Sequence, residues 1–360
     1  MPRFLRPDVY VGEISKRPPS IQGLGTSTTA MAGICEKGPA TPTEISGFRQ
    51  FVSIFGQPVS HAYLGHAVRG FFENGGSRCF IARIIPKTGH RLCAEDFLGS
   101  RVSISRAGTR QGRTGLAGIA ETEGINLICT PDVYQLPEPD ISRVHQAAED
   151  QCRRRGNCFA IMDVPAGRAD ISLIRPAVYS KYAATYFPWV NISASSSSRV
   201  TAIPSCGHIA GIFSRTDARR GVHKAPAGGN LSGISGPDRG LTPTELEQLQ
   251  RNLVNPIVTF PGRGTLVWGS RTGSQDPEFR YIPVSRTLMF LEASIIKGLQ
   301  WTVFEPNSQI LWTTVRGMIE NFLYNQWRDG ALHGATPDSA FFVKCDQTTM
   351  TQEDIENGKL

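Results

Sequence analysis

Short apolar runs of strand length alternate with amphipathic helical stretches through the first half of this chain, and no other feature restricts its fold as much. TSTTAMAGI (26–34) is strand-like. EISGFRQFVSIFG (44–56) places Ile45, Phe48, Phe51, Val52 and Phe55 on one helical face. HAYLGHAVRGFFENGG (61–76) does the same with Leu64, Ala67, Val68, Phe71 and Phe72, then stops at Asn74-Gly75-Gly76. CFIARII (79–85) and INLICT (125–130) read as buried strands, 141–154 as a helix, CFAIMDV (158–164) as a strand and ATYFPWV (184–190) as a further apolar run. Helix and strand in alternation predict an α/β layered domain. Residues 86–124 mix Gly, Arg and Ser and read as a surface excursion.

Two loops punctuate the second half of the chain. SASSSSR (193–199) is a Ser-rich loop, and 225–240 is Gly-rich. The second ends in a helix start, where Thr242 and Glu245 have capping-box spacing and Pro243 takes the first helical position. This predicts a domain boundary at 240/241. Beyond it, VWGSRT (267–272), WTVF (301–304) and FFVKC (341–345) read as strands, and 285–299 and 308–328 as helices. The longer helix carries Leu311, Val315, Ile319, Phe322, Leu323 and Trp327 at helical spacing. The expected fold is therefore two layered α/β domains, 23–240 and 241–360, preceded by an extended arm, 1–22.

The arm rests on PDVYVGEI (7–14), where Val9, Tyr10, Val11 and Ile14 are β-formers, with Pro7 and Glu13 in the same run. Pro18 and Pro19 come next and forbid a tight hairpin back. The strand has no local partner and must find a sheet edge elsewhere. It is either an edge strand of its own domain or an arm added to a neighbour's sheet.

Composition excludes several function classes. The 38 Lys and Arg against 31 Asp and Glu leave a net charge of +7, which suggests an acidic partner. The basic residues are dispersed, with no stripe of interleaved aromatics, so no nucleic-acid partner is expected. The run Arg153–Arg155 precedes Gly156 and reads as helix capping. No membrane partner is expected either. The most apolar helical stretch, Leu288–Leu299, is interrupted by Glu292 and Lys297. The N-terminus has no apolar signal region, so synthesis in a reducing cytoplasm is expected. The eight cysteines are scattered with no C-x-x-C, and read as buried, reduced side chains.

Catalytic signatures are missing from the sequence. It has no P-loop, no dinucleotide fingerprint, no nucleophile elbow and no His-Glu-x-x-His. Asp163, His208 and Ser270 follow the chain order of one protease class without any local signature. His61 and His66 are spaced wrongly for one metal on a helix face, and His223 and His333 sit in polar loops. Neither a cofactor nor a metal is expected. The profile favours a structural or interaction protein over an enzyme.

Longer stretches carry a resemblance. PDVYVGEI, IQGLGTSTTAMAGICEKGP (21–39), FVSIFGQP and YLGHAVRGFFENGGSRCFIARI (63–84) resemble the contractile tail sheath proteins of bacteriophages and related injection machines. So do GHIAGIFSRTDARRGVHKAPAG (207–228), NPIVTFPGRGTLVWGSRT (255–272), DPEFRYIPVSR (276–286), FLEASIIKGLQWTVFEPN (290–307) and the stretch from LWTTVRGMIENFLYNQWRDG to FFVKCDQTT (311–349). The resemblance covers most of 1–85 and 183–360 and is weakest across 86–182.

The resemblance implies a subunit without bond chemistry. Such subunits stack as helical rings around an inner tube, link the rings through terminal arms and contract on a baseplate signal. Implied partners are further copies of the chain, the inner tube protein, and baseplate and tail terminator proteins. The implied location is a virion tail or injection particle assembled in the bacterial cytoplasm. Residues 7–14 would be the arm and Pro18-Pro19 its hinge. The C-terminal domain would face the tube electrostatically, with Lys297, Arg316 and Arg328 as contacts or as ordinary solvated helix charges. The family's C-terminal arm is expected to be missing after Leu360. Phage and injection-system sheaths are equally compatible. The rival class is a cytoplasmic α/β hydrolase or nucleotide-binding enzyme, which predicts a pocket and a discrete particle.

Overall fold

The computed structural model describes residues 20–86, 91–104, 110–193 and 200–356. The expected arm strand (Pro7, Val9, Tyr10, Val11, Glu13, Ile14), its hinge (Pro18, Pro19) and most of the Ser-rich loop lie outside the described residues. The chain divides into two compact units. One is Gly23–Ala293. The other holds the described residues 20–22 together with those from Ser294 onward.

The larger unit starts with β1 (Thr29–Ile34), β2 (Thr43–Ile45), α1 (Phe48–Phe55), α2 (Leu64–Glu73) and β3 (Cys79–Ile84). Next come α3 (Ala94–Leu98), the hairpin β4 (Arg101–Ile104) and β5 (Arg110–Arg113), α4 (Gly115–Glu121), β6 (Leu127–Cys129), α5 (Glu138–Arg155) and β7 (Phe159–Asp163). The remainder is β8 (Ala183–Phe187), β9 (Val190–Ser193), β10 (Val200–Ile203), α6 (Cys206–Arg220), β11 (Gly236–Pro237), α7 (Pro243–Arg251), β12 (Val254–Phe260), β13 (Gly264–Val267) and most of α8 (Ile282–Gly298).

Eight strands form one sheet in the order β13-β12-β8-β7-β6-β1-β3-β2. The six inner strands run parallel, while β13 and β2 pair antiparallel at the edges. Helices cover both faces, which is why the inner strands read as continuous apolar runs. In β1, Met31 enters the cluster with Phe51, Phe71 and Phe213 of α1, α2 and α6, while Ala30 and Ala32 enter the cluster with Phe97, Ile119 and Val144 of α3, α4 and α5. The same alternation divides Phe159 and Ile161 from Ala160 and Met162 in β7. The α/β layered expectation is met.

Several local expectations are corrected. Ile45 belongs to β2, not α1, because Gly47 is extended and the helix starts at Phe48. The 86–124 excursion contains α3, the β4–β5 hairpin and α4, and supplies part of one helical layer. Most of VWGSRT lies beyond β13. Thr242 and Glu245 do form the capping box, with Glu245 Oε2 accepting from Thr242 N at 2.8 Å. Yet no unit boundary falls there. β12 and β13 complete the large sheet, and the division lies between Ala293 and Ser294. β12 is hard to read because it contains Pro256, which pairs with Phe187 of β8. Arg155 does more than cap its own helix: its guanidinium donates to Ile119 O, Ala120 O and Thr122 O at the end of α4. All eight cysteines are free, six of them buried.

The smaller unit holds the end of α8, α9 (Gln309–Arg328), α10 (Pro337–Ala340) and α11 (Gln352–Glu356). Ser308 caps α9, accepting from Leu311 N at 3.4 Å. The buried residues of α9 are Leu311, Val315, Met318 and Phe322, a single stripe at helical spacing. Neither of the expected strands here forms. WTVF is a 3-10 turn, and residues 341–345 have no strand partner among the described residues.

Candidate functional site

The polar groups buried in the larger unit organise structure. The Asp163 carboxylate accepts from Ser205 N (2.9 Å), Ser205 Oγ (2.5 Å) and Cys206 N (3.1 Å). It thereby satisfies amides at the start of α6, where the helix dipole favours an anion. Burial raises its pKa to about 6, against these hydrogen bonds, which lower it. Its carboxylate bonds neither His208 nor Ser270, so the protease-like order in the sequence corresponds to no triad. His208 is buried on α6, and burial lowers its pKa to about 4. Burial does the same to His145 on α5. Asp132 plays a second capping role, accepting from Ile34 N (2.7 Å), Tyr63 N (2.5 Å), Leu64 N (3.3 Å) and Gln135 Nε2 (2.9 Å). The carboxylate comes so close to β1 that a Cβ at Gly33 would collide with its Oδ2. Burial raises the pKa of Asp132 to about 6 as well.

A buried ion pair ties the larger unit together. Arg286 of α8 donates to Asp217 of α6 at 2.9 and 2.6 Å, with both side chains only 4% exposed. Arg286 also donates to Thr26 O at 2.8 Å, and Thr26 Oγ1 donates to Asp217 at 2.6 Å. Its guanidinium lies 4.9 Å from the centroid of the Phe213 ring. Among the described residues, no three His, Cys, Asp or Glu side chains gather as a metal ion would require. No described helix is long and apolar enough to cross a membrane.

The smaller unit exposes a high share of its large apolar side chains. Phe304 is 97% exposed and Phe342 87%, and Ile296, Val303, Ile310 and Tyr324 are also exposed. A groove of about 420 Å³ runs between α9 and residues 341–343, lined by Glu320, Tyr324, Phe341 and Phe342. Large apolar side chains in water are the usual mark of a surface that another chain covers, and Tyr324 and Phe342 share this groove. Sequence reasoning reads Val303, Phe304 and Phe342 as parts of strands and Ile296, Ile310 and Tyr324 as parts of helices, and so does not single them out as exposed. Ile21, by contrast, is buried on the end of α8, where a Cβ at Gly298 would lie 2.7 Å from it.

Of the three sequence-derived cations, two lie on α9 and one on α8. Lys297 is exposed in the last turn of α8 and forms no ion pair among the described residues. Arg316 pairs with Glu320 at 3.9 Å, and Arg328 with Asp329 at 3.8 Å. Twelve residues of helix separate Arg316 from Arg328 by about 18 Å and about a third of a turn. They therefore occupy different faces of α9.

Comparison with known proteins gives a consistent picture. Family profiles described as "Phage tail sheath protein central domain" and "Phage tail sheath C-terminal domain" match residues 107–273 and 274–359. The first match takes in much of the region where the sequence resemblance is weakest. A tail sheath protein of Salmonella phage ViI is 28% identical over 171 residues, 46% of this chain and 26% of that protein. A putative prophage major tail sheath protein of Pseudomonas aeruginosa strain UCBPP-PA14 is 26% identical over 208 residues, 56% of this chain and 52% of that one. The matched region thus spans only part of these curated relatives. Among solved structures, the helical sheath of the anti-feeding prophage in its contracted state superposes with a TM-score of 0.79 at 30% identity. That match covers 98% of this chain and 92% of that one.

Proposed function

This chain belongs to the contractile tail sheath family, and on that premise we propose that it is a structural, non-enzymatic subunit that polymerises around an inner tube and contracts to drive the tube through a cell envelope. One observation carries the reading: the likeness to a contracted helical sheath runs over nearly the whole of both chains at 30% identity. The surface of the smaller unit agrees with it. Phe304 and Phe342 stand in water, and residues 341–345, which start from an extended Phe341, have no strand partner among the described residues, as expected of a segment completed by a neighbour's strand. In this reading Pro7–Ile14 of one copy pairs with a neighbour, Pro18 and Pro19 form the hinge, and Ile21 is the fixed root of the arm on α8. The subunit's partners are further copies, the inner tube protein, and baseplate and terminator proteins. It is assembled in the cytoplasm and resides in a virion tail or injection particle. Lys297, Arg316 and Arg328 offer positive charge to an acidic tube, through polar contacts that release more readily than a large apolar interface. Because Arg316 and Arg328 lie on different faces of α9 and each has a carboxylate partner, Lys297, which has no ion pair among the described residues, is the strongest of the three.

The test is negative-stain electron microscopy of the purified chain, alone and co-expressed with the inner tube protein. A version lacking residues 1–20 serves as the comparison. Hollow particles from the full chain, and discrete folded subunits from the truncated one, are the expected result. Discrete particles in every sample would overturn the sheath reading. A truncated chain that unfolds would instead make 7–14 a core strand and remove the arm.

A further inference from the structure

Four arginines line one groove on the larger unit. Arg175, Arg251, Arg271 and Arg280 surround a space of about 440 Å³ together with Tyr179 and Asn252. They come from three separate segments, so chain proximity does not account for their convergence. The fold holds their backbones in place. The buried Asn255 side chain accepts from Arg271 N at 2.7 Å and donates to Arg271 O at 2.8 Å. Buried Thr272 donates from its own N to Arg280 O at 2.9 Å. Asn252 Nδ2 donates to Ile174 O at 2.9 Å, next to Arg175. Leu253, which also lines the groove, has φ 60°, the single non-glycine residue with positive φ among the described residues. Strained backbone of this kind collects at binding sites.

The charges in this groove are poorly compensated. Arg251 pairs with Glu247 at a loose 3.9 Å, both side chains largely in water. Arg175, Arg271 and Arg280 form no ion pair among the described residues. Asp276, between Arg271 and Arg280 in sequence, uses its carboxylate to cap Glu278 N. Guanidinium forks gathered without counter-charge repel one another and match carboxylates bidentately. The chain itself carries such a ligand. Asp346–Glu356 contains Asp346, Glu353, Asp354 and Glu356 and no Lys, Arg or His, although the chain as a whole is +7. Its Glu353 is exposed at the first turn of α11.

We infer that the arginine groove receives the acidic segment Asp346–Glu356 of a second copy of this chain, as an electrostatic clamp between subunits. The inference rests on the reading that copies assemble, and it names a contact within that assembly. A labelled peptide of residues 346–358, titrated into the full-length chain, tests it by fluorescence anisotropy. Saturable binding is expected, at least tenfold weaker in 500 mM than in 50 mM salt. R271E/R280E should weaken it at least tenfold, and a peptide carrying E353K/D354K should restore binding to that variant. R271Q/R280Q, checked for fold by circular dichroism, gives the same test should the charge reversal unfold the chain. No saturation with the native chain, or native-like binding by R271Q/R280Q, would overturn the inference. Tighter binding of a DNA oligonucleotide of equal charge would overturn the choice of occupant. The electron microscopy is read separately. Peptide binding without particles counts against the sheath reading alone, and particles without peptide binding count against the clamp alone.

Discussion

The two units of this chain differ in how much of their apolar surface they bury. In Gly23–Ala293, helices cover both faces of the sheet, and Phe51, Phe55, Phe71, Phe97, Phe159 and Phe213 are all essentially out of water. Among the described residues, the buried apolar side chains from Ser294 onward are Leu311, Val315, Met318 and Phe322, with Ile21 from the N-terminal side. Against these five stand six exposed ones: Ile296, Val303, Phe304, Ile310, Tyr324 and Phe342. The first region exposes large apolar side chains too, Leu173 at 73% and Tyr179 at 54% among them, but they are few beside its buried core. The second leaves its hydrophobic demand open, and an open demand of that size is met by other chains. A subunit built this way can stay rigid in one part while exchanging partners through the other.

The sharpest break of this comparison is to open the closed unit from inside. Removing one partner of Arg286–Asp217 leaves an uncompensated charge where both side chains are 4% exposed. Asp217→Ala should therefore cost about 3–5 kcal/mol by chemical denaturation. Arg69→Ala, at the exposed pair with Glu73, should cost less than about 1 kcal/mol. Equal losses would mean that the buried pair does not pin the unit.

The second break uses pH. His145 and His208 have folded pKa values near 4, below the ordinary 6.5, because burial penalises the charged ring. A depressed histidine favours the folded state above pH 6.5, and that advantage is lost as pH falls toward 4. It amounts to about 3 kcal/mol per histidine at the limit. Asp132 and Asp163 act in the opposite sense: their pKa values are raised to about 6, so the folded state gains relative to the unfolded as pH falls through the same window. Comparing His145→Gln/His208→Gln with the native chain isolates the histidines. The variant's melting temperature minus the native one should rise steadily from pH 7 to pH 4.5. A flat difference would mean that both rings reach solvent in the folded state.

The same contrast explains how far the sequence can be read. The α/β layering was legible because β1, β3, β6, β7 and β8 are buried on both faces and carry almost no polar interruption. The capping box at Thr242 and the long α9 were legible from local spacing. The unit boundary was not. A Gly-rich loop and a strong helix start mark the end of an element, and only strand pairing shows that β12, with Pro256 inside it, returns to the sheet. The interaction surface was misread for a related reason. WTVF and FFVKC have strand composition, and composition does not say whether the partner strand lies in the same chain. The arginine groove was invisible because Arg175, Arg251, Arg271 and Arg280 are far apart in sequence and are brought together by Asn255 and Thr272, residues with no signature of their own.

The smallest expected effect is the most telling for the open unit. Phe304→Ser and Phe342→Ser remove side chains that already stand in water, so each should change the stability of the isolated chain by less than about 0.5 kcal/mol. Phe322→Ala, on the buried stripe of α9, should cost about 3–5 kcal/mol in the same denaturation assay. Phe322 and Phe342, two phenylalanines of the same unit, would then differ severalfold in what their loss does to one subunit. In assembled particles the ranking should narrow, because a side chain that contributes nothing to the lone chain contributes when a neighbour covers it. Serine at 304 and 342 should lower the yield of long particles by sedimentation while leaving the melting curve of the dispersed subunit in place. A loss above about 2 kcal/mol from Phe304→Ser in the dispersed chain would show that this ring has a partner inside its own subunit, and the distinction between a closed and an open unit would fail at that residue.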